Sequence, residues 1–588
     1  MTPTRSVADQ LWELAWPWRR LIAAVTLLVV FVALVQLAPP LIMREIVDHH
    51  LALRKGDGLV ALALLYLGAV GCAQALTSVY GYLAAVIAQG VLDALRNRLF
   101  AHLVALPMAY HDRTALGDSI SRCTADVDTV DTLFSTGVST LVANLVFVVT
   151  AGGAMVALSP QLAAVAGLAL PPLVIVTRYF KQQVRSAERE SRVAIGRMNA
   201  HLQEGLGGVE VLRAFGREAA FARRFRRTLL ATLVAANRST FYAARYAPVM
   251  AFLSAVATAL LLVAGMRATF IGWGVTTGTL TAFVLLFGRF FKPIIELGDQ
   301  WQTVQSALSG AERIFQVLAV PLEVHAAEAT PAPGGPAIDV AGVTFGYAPD
   351  RPVVRAVSFT VRAGEQVALV GRTGAGKTSV LHLVAGLYAP WSGAVRVAGV
   401  DPRGIPEAER SRRIGVVPQI VQLFSGAVLA NLTLGDPAVP RADVEAAARA
   451  AGIDALVRSW PSGYDTALCG AGRGPGVRLS AGEQQLIALA RALVFDPAVL
   501  LLDEATSTVD AASEAAFRVA LDRLVRERGK AVLTIAHRLA TARAADRVIL
   551  MDDGVIVEEG APDRLIAQGG RFARWLELEA GGWDWRVD

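Results

Sequence analysis

Long apolar runs dominate the first 300 residues of the chain, and the remainder alternates short apolar and polar segments. Each run is about as long as the roughly 20 residues that a helix needs to cross a bilayer. We predict six membrane-spanning helices, at about 21–43, 59–87, 138–158, 161–180, 247–270 and 275–297. A short amphipathic helix at about 6–17 precedes them, and its tryptophans are of the kind that anchor at lipid headgroups. These are Trp12, Trp16 and Trp18.

The connections between these spans alternate in length. Those after spans two and four, about 88–135 and 181–244, are long, polar and helical in period, and the others are short. The second long connection is rich in arginine: Arg185, Arg189, Arg192, Arg197, Arg213, Arg217, Arg223, Arg224, Arg226 and Arg227. Because cytoplasmic segments carry an excess of Lys and Arg, we predict that both termini and both long connections are cytoplasmic. Ordinary solvated helices are the alternative, but they leave the length difference unexplained.

Composition supports a membrane protein and narrows its partners. Hydrophobic residues make up 54% of the 588 positions, charged residues only 18%, and the net charge is +6. The arginines between the apolar runs suit anionic lipid headgroups, and no nucleic-acid-binding motif is present, so we expect a lipid bilayer and no nucleic acid as partner. Three scattered cysteines, Cys72, Cys123 and Cys469, indicate neither a disulfide framework nor a metal site. Asp9 and Glu13 argue against a cleaved targeting segment.

A phosphate-binding loop is the clearest chemical motif. Residues 371–378 fit the pattern G-x-x-x-x-G-K-[ST], between an apolar run typical of a buried strand and a predicted helix at 378–387. Backbone N–H groups of such a loop point at phosphate oxygens, Lys377 reaches the outer phosphates, and the Thr378 hydroxyl binds Mg²⁺. A glycine-rich turn that matches by chance is the alternative. The predicted ATP-binding residues here are Gly371, Arg372, Thr373, Gly374, Ala375, Gly376, Lys377, Thr378 and Ser379.

Two further segments lie downstream of this loop. The apolar run 499–502 ends in Asp503, which we expect to bind Mg²⁺, and Glu504 follows as the candidate general base for attack of water on the γ-phosphate. The alternative is that this acidic pair caps the next helix. Between the two motifs, residues 479–483 read Leu-Ser-Ala-Gly-Glu before an amphipathic helix. In isolation, this segment would be an ordinary serine N-cap.

Together these motifs resemble the ATP-binding cassette (ABC) exporters, in the form of a half-transporter with six spans fused to one nucleotide-binding domain. LSAGE stands where that family has its LSGGQ signature, and the resemblance covers essentially the whole chain. It implies a six-helix transmembrane domain with long cytoplasmic extensions at 1–323, a linker at 324–336, and an α/β P-loop domain at 337–588.

The resemblance also implies roles for individual residues. Tyr347 matches the aromatic that stacks on adenine, Gln419 matches the glutamine that links Mg²⁺ to the membrane domain, and His537 matches the switch histidine at the γ-phosphate. Residues 507–510 match the D-loop, and segments near 110–120 and 205–217 match the coupling helices. Ser480, Gly482 and Glu483 of LSAGE would contact ATP held by the P-loop of a second subunit.

The implied function is ATP-driven export of an amphipathic or hydrophobic substrate by a dimer, with ATP and Mg²⁺ as cofactors, in the bacterial inner membrane. Ala481 and Glu483 depart from the signature, and the segment 469–477 lacks an expected glutamate. Because such departures occur in one subunit of heterodimeric members, we expect a second, non-identical half-transporter as partner, with a homodimer as the alternative. A lipid flippase and an ATP-gated channel or regulatory ATPase stay open as other functions.

Overall fold

The structure is a computed structural model that describes residues 6–54, 56–168, 170–271, 275–322, 335–470, 476–503, 511–536 and 538–580. The chain separates into two units. The first consists of Met1–Val104 and Leu116–Val320, and the second of Ala105–Ala115 and Pro321–Asp588. Most of the predicted linker, 324–334, lies outside the described residues.

The first unit is helical throughout its described part. A capping box begins it, in which the Asp9 N–H donates to Ser6 Oγ at 3.1 Å and the Ser6 N–H donates to Asp9 Oδ2 at 3.2 Å. The predicted amphipathic helix is therefore confirmed. The α-helices are Val7–Ala15, Arg19–Val35, Ala38–Glu45, Leu59–Val104, Leu116–Ser121, Val127–Thr132, Val138–Leu158, Pro160–Leu168, Leu170–Gly207, Val209–Ala214, Glu218–Ile271 and Thr277–Leu318. A 3₁₀ turn, Trp16–Trp18, and π-helical segments, Ile46–Leu51, Arg122–Asp126 and Leu133–Gly137, join some of them.

Several of these helices are much longer than a bilayer is thick. Glu218–Ile271 has 54 residues, which at 1.5 Å per residue is about 80 Å, against a hydrocarbon core of about 30 Å. In the described part of the chain, five helical stretches are long and apolar enough to cross a membrane. The sixth predicted span falls at the start of Thr277–Leu318, where the apolar part, Thr277–Phe290, is shorter. The count of six is therefore not confirmed in full.

Two long antiparallel helices of this unit, Leu170–Gly207 and Glu218–Ile271, pack along much of their length. Thr177 Oγ1 lies 3.3 Å from the Tyr246 hydroxyl, and Thr228 Oγ1 lies 2.8 Å from His201 Nδ1. The two bonds fix an antiparallel register between the helices. Elsewhere in the unit, the largely buried Asp126 carboxylate accepts hydrogen bonds from Arg313 Nε, at 3.0 Å, and from Arg313 Nη2. That ion pair ties the Arg122–Asp126 segment to Thr277–Leu318.

In its described residues, the second unit is an α/β domain built on eleven strands. They are β1 (Ile338–Phe345), β2 (Val354–Val361), β3 (Gln366–Val370), β4 (Ser392–Val397), β5 (Ile414–Val417), β6 (Gly426–Ala427), β7 (Ala467–Leu468), β8 (Val499–Asp503), β9 (Ala531–Ile535), β10 (Arg547–Asp552) and β11 (Val555–Gly560). The main sheet has the order β11-β10-β3-β9-β8-β5, antiparallel only between β10 and β11. The domain also contains a separate antiparallel sheet, β2-β1-β4, and a two-stranded antiparallel pair, β6-β7.

Strands β3, β8 and β9 are buried at every position, as expected for parallel strands covered on both faces. The α-helices around them are Met108–Arg113, Lys377–Val384, Glu407–Arg413, Val428–Thr433, Arg441–Ala451, Asp454–Ser459, Ala481–Leu493, Ala511–Arg526, Leu539–Ala544, Pro562–Ala567 and Arg571–Ala580. Two 3₁₀ turns, Pro402–Gly404 and Gly463–Asp465, are also present. The predicted α/β fold of the C-terminal half is confirmed.

Candidate functional site

Three of the predicted motifs lie at one edge of the main sheet. In the parallel ladder, Leu369 of β3 pairs with Ile535 of β9, which in turn pairs with Asp503 of β8. Val417 of β5 pairs with Leu502 of β8. Because all four strands are parallel, the segments that follow them, which include the P-loop and Gln419, emerge on the same side. The edge therefore collects a phosphate-binding loop, a carboxylate and an amide.

The P-loop connects β3 directly to the helix Lys377–Val384, so the predicted strand–loop–helix context is confirmed. Gly371 has φ +143°, and a Cβ there would lie 2.1 Å from the Met551 carbonyl oxygen. Gly376, with φ +94°, would place a Cβ 2.8 Å from the Val353 carbonyl oxygen. Both positions require glycine, for conformation and for space. The pattern is therefore a built turn and not a chance match.

Lys377 is the best-buried charge of this loop. The residue is only 5% exposed. Its Nζ donates to the carbonyl oxygens of Gly371 at 2.8 Å and Arg372 at 3.0 Å. Arg372, Thr373 and Gly374 are exposed at the tip of the loop, whereas Ala375 is buried beneath it. The loop thus holds a fixed cation beside exposed backbone at the start of a helix, which is the chemistry that a chain of phosphates needs.

An aromatic group borders the P-loop helix. Tyr347 is 42% exposed, its hydroxyl lies 3.1 Å from Ser379 Oγ, and its ring meets that of Tyr388 edge-on at 5.3 Å. Burial raises the pKa of the Tyr347 phenol, so it is protonated at neutral pH. An exposed aromatic face next to the loop fits the stacking of an adenine base.

Two residues of the helix Met108–Arg113 form hydrogen bonds with this aromatic group, and the sequence analysis did not predict these bonds. The Tyr388 hydroxyl donates to the Asp112 carboxylate, and Arg113 Nη2 donates to the Tyr347 carbonyl oxygen at 3.3 Å. Burial and then the Asp112 carboxylate raise the pKa of Tyr388. No sequence motif predicts a contact between individual residues that lie so far apart in the chain. This helix overlaps the segment near 110–120 that the resemblance assigns to coupling.

The LSAGE segment forms the start of the helix Ala481–Leu493. The Glu483 N–H donates to Ser480 Oγ at 3.3 Å, and the Ser480 N–H donates to Glu483 Oε2 at 2.7 Å. Glu483 therefore has a local role as the second half of a capping box, which the spacing Ser-x-x-Glu signals in the sequence. Gly482 is buried, whereas Ser480 and Ala481 are exposed, so the extra methyl group of Ala481 lies at the surface.

The same helix holds the segment around Gln419 at two points. Gln485 Nε2 donates to the Gln419 carbonyl oxygen at 3.1 Å, and Arg491 Nη1 donates to the Gln422 carbonyl oxygen at 3.0 Å. Gln485 is only 4% exposed. These hydrogen bonds therefore hold the segment after β5 against the helix Ala481–Leu493, which we call the signature helix.

The donor set also suits a hard cation. Thr378 is half-buried at the first turn of the P-loop helix, and Asp503 is 8% exposed at the end of β8. Hydroxyl and carboxylate oxygens are the ligands that Mg²⁺ prefers. Glu504, His537 and the D-loop residues 507–510 lie outside the described residues, so their roles stay predictions.

Comparison with known proteins agrees with this arrangement. Residues 22–294 match the family described as the ABC transporter transmembrane region, and residues 354–507 match the family described as ABC transporter. The chain is 31% identical to an uncharacterized ABC transporter ATP-binding protein, YfiC, of Bacillus subtilis, over 98% of this chain and 94% of that one. It is 32% identical to an ATP-dependent lipid A-core flippase of Syntrophus aciditrophicus, over 88% and 85%.

Two further likenesses extend the comparison. A fatty acid ABC transporter ATP-binding/permease protein of Mycobacterium bovis is 33% identical, over 82% of this chain and 76% of that one. The solved structure of a bacterial Atm1-family ABC exporter with ATP bound superposes with a TM-score of 0.75 at 25% identity, covering 97% of this chain and 99% of that one. With a membrane unit and a P-loop unit on one polypeptide, the chain belongs to the ABC transporters and is an ATP-hydrolysing exporter of that family.

Proposed function

We propose that the chain is one half of a dimeric exporter that moves a lipid-like, amphipathic substrate out of the inner leaflet by alternating access. The observation that carries the proposal is the convergence of the P-loop, Asp503 and Gln419 at one sheet edge. Such an edge can bind the phosphates of ATP while remaining linked to the signature helix through Gln485.

Different residues of the site bind ATP and catalyse its hydrolysis in this proposal. Lys377 and the loop backbone would bind the β- and γ-phosphates, Tyr347 would stack on adenine, and Thr378, Asp503 and Gln419 would hold Mg²⁺. When bound, Mg²⁺ neutralises charge that develops on the phosphates. Glu504 accepts a proton from the attacking water, and His537 contacts the γ-phosphate.

Dimerisation follows from the position of the signature. Ser480, Gly482 and Glu483 complete the ATP site of the other subunit, because in this family one chain supplies the P-loop and its partner the signature. The helix Val209–Ala214 supports a partner-facing surface, since Val209, Val211 and the adjacent Phe215 are all exposed. Apolar side chains clustered on a surface favour association.

A heterodimer fits the signature better than a homodimer does. The Glu483 carboxylate accepts from the Ser480 N–H, so a negative charge lies beside the serine that would face the γ-phosphate. That charge weakens anion binding at this signature while leaving the P-loop of the same chain unaffected. A partner with an uncharged signature would give one fast and one slow ATP site.

Lipid-like substrates are favoured over other classes because two of the similar proteins are described as a lipid A-core flippase and a fatty acid transporter. The second candidate is a lipid flippase, which moves lipid to the other leaflet of the same membrane and does not release it. The bacterial inner membrane is the proposed location, with both termini and the arginine-rich connections in the cytoplasm.

The test combines purification with a transport assay. The tagged chain is purified from its native host, and any co-purifying half-transporter is identified by mass spectrometry. The complex is then reconstituted in proteoliposomes, and ATP-dependent translocation of a fluorescent phospholipid is measured against a Glu504→Gln control. A non-identical partner and Glu504-dependent translocation support the proposal. Robust ATPase activity of the chain alone as a dimer contradicts the heterodimer, and an ATP-dependent ion current without lipid movement favours the channel.

A further inference from the structure

Five cations form one stripe along the helix Leu170–Gly207. Their spacings of three and four residues keep them within an arc of about 80° when successive residues turn by 100°. The stripe consists of Arg178, Lys181, Arg185, Arg189 and Arg192. Four of them border a shallow groove along the helix, to which Gln182, Ser186 and Glu190 also contribute. We refer to these five residues as the cation stripe.

The opposite face of the helix is the one that packs in the unit. Phe180, Ala187, Ala194 and His201 recur every seven residues there. The Phe180 ring lies 5.8 Å from that of Tyr246, and the Ala194 carbonyl oxygen accepts from Thr232 Oγ1 at 3.2 Å. Ala187 is 2% exposed. The cation stripe therefore points away from Glu218–Ile271, and packing within the unit does not account for it.

The acids of this segment are fewer than its cations. Glu190 pairs with Arg238 of the adjacent helix at 3.0 Å, and Glu188 pairs with Arg192 of the stripe at 3.5 Å. Arg178, Arg185 and Arg189 are exposed. The segment 178–192 carries five cations and two acids, so the exposed face is strongly positive.

The stripe begins at the level of the membrane interface. The apolar stretch 160–177 is about 27 Å long at 1.5 Å per residue, close to the roughly 30 Å of a hydrocarbon core. Tyr179 is exposed beside Arg178, and Tyr246 lies at the same height on the neighbouring helix because its hydroxyl meets Thr177. Aromatic residues of this kind mark the headgroup region. Arg178, Lys181 and Arg185 therefore lie at or just below the lipid phosphates.

We propose that the cation stripe binds the phosphate groups of anionic lipids in the inner leaflet. Exposed guanidinium groups at headgroup depth, spaced along a groove, match phosphates in charge and in hydrogen-bonding geometry. The proposal rests on the cytoplasmic placement given under the proposed function, and it adds a lipid site outside the ATP machinery. The stripe thereby concentrates anionic lipid beside span four.

The test measures lipid binding directly. The full-length complex is placed in nanodiscs of phosphatidylcholine with phosphatidylglycerol, and the lipids retained on release are counted by native mass spectrometry. The variant combines Arg178→Gln, Lys181→Gln and Arg185→Gln. The matched control combines Arg223→Gln, Arg226→Gln and Arg227→Gln, which removes the same charge from exposed positions about 28 Å further from Tyr246 along its helix.

The wild type and the control should retain phosphatidylglycerol over phosphatidylcholine, and the stripe variant should lose most of that preference, by about fivefold or more. An unchanged preference in the stripe variant overturns the proposal. Competition by millimolar inorganic phosphate would identify a site for free phosphate, and loss of the dimer in the variant would identify a subunit interface; either result overturns the lipid assignment. If the triple variant does not fold, Arg185→Gln alone is compared with Arg226→Gln.

ATPase activity in pure phosphatidylcholine separates this proposal from the proposed function. A complex that hydrolyses ATP but has no lipid preference contradicts the stripe alone. A complex that prefers anionic lipid but lacks ATP-dependent transport contradicts the proposed function alone.

Discussion

The P-loop and the cation stripe both present positive charge to anions, but they do so in opposite ways. Lys377 is buried, and its ammonium is fixed by two backbone carbonyl oxygens. The stripe is a row of long, mostly exposed side chains on one helix. Anion binding at the P-loop depends on precise geometry, which the substitution of a single residue can destroy. Binding at the stripe depends on summed charge, which individual residues change only in part.

The consequence is a difference in how each region responds to substitution. Changes at the sheet edge should have large effects, because each group there has one position and one role. Changes in the stripe should be graded and sensitive to salt. The predictions below test this difference, beginning with the largest expected effect.

Glu504→Gln should lower ATP turnover by about 10²- to 10⁴-fold, the range that a general base contributes. ATP should still bind, because the substitution removes the proton acceptor and leaves the P-loop intact. Phosphate release and retention of labelled ATP are measured on the same reconstituted sample. Turnover close to that of the wild type would show that another group accepts the proton.

Lys377→Ala should weaken ATP binding by roughly 10- to 100-fold, the value of one hydrogen bond to a charged group. Lys530→Ala is the matched control. Lys530 precedes β9 and pairs with Asp496 at 2.9 Å, at the opposite edge of the sheet. Equilibrium binding of a fluorescent ATP analogue measures both. Equal losses in the two variants would mean that the effect arises from general destabilisation and not from the loop.

Glu483→Ala should cost about 1 kcal/mol of stability, because the Ser480 N–H loses its capping partner. Glu483→Gln should keep the cap through its amide oxygen and remove the charge, and it should raise activity at the site that this signature completes. Thermal unfolding and ATPase rates of both variants are compared. Greater stability loss in Glu483→Gln than in Glu483→Ala would contradict the capping role.

Raising the salt concentration from about 0.1 M to about 1 M shortens the Debye length from about 10 Å to about 3 Å. The preference for anionic lipid should therefore fall by about threefold or more, whereas the KM for ATP should change by less than about twofold. Lipid counting and ATPase assays at the two concentrations give both numbers. A larger change in KM than in lipid preference would reverse the comparison.

The sequence predicted where the motifs of the sheet edge lie, because a phosphate-binding loop restricts particular positions to particular residues. Gly371 and Gly376 occupy sites where a Cβ would collide with backbone, and Asp503 ends a fully buried strand. The assignment to ABC exporters was confirmed for the same reason. The roles of Glu504 and His537 stay predictions, since both lie outside the described residues.

Other features depended on information that local patterns do not contain. The bond between Tyr388 and Asp112 joins residues 276 positions apart, and no motif marks either one. The resemblance predicts that Glu483 contacts ATP, although its spacing from Ser480 also fits a capping box. Along the helix Thr277–Leu318 the apolar stretch is short, so length and hydropathy alone do not establish the sixth span.

The helix Glu218–Ile271 contains one proline, Pro248, two residues beyond Tyr246. Proline has no N–H, so the carbonyl oxygen of Ala244 lacks its helical partner. The backbone hydrogen bonding of this helix, which is about 80 Å long, is therefore weakest at the proline. Bending there by about 10° would swing the roughly 45 Å arm before Pro248 by about 8 Å at its tip. The proline thus gives the two arms of this helix a point about which they can bend.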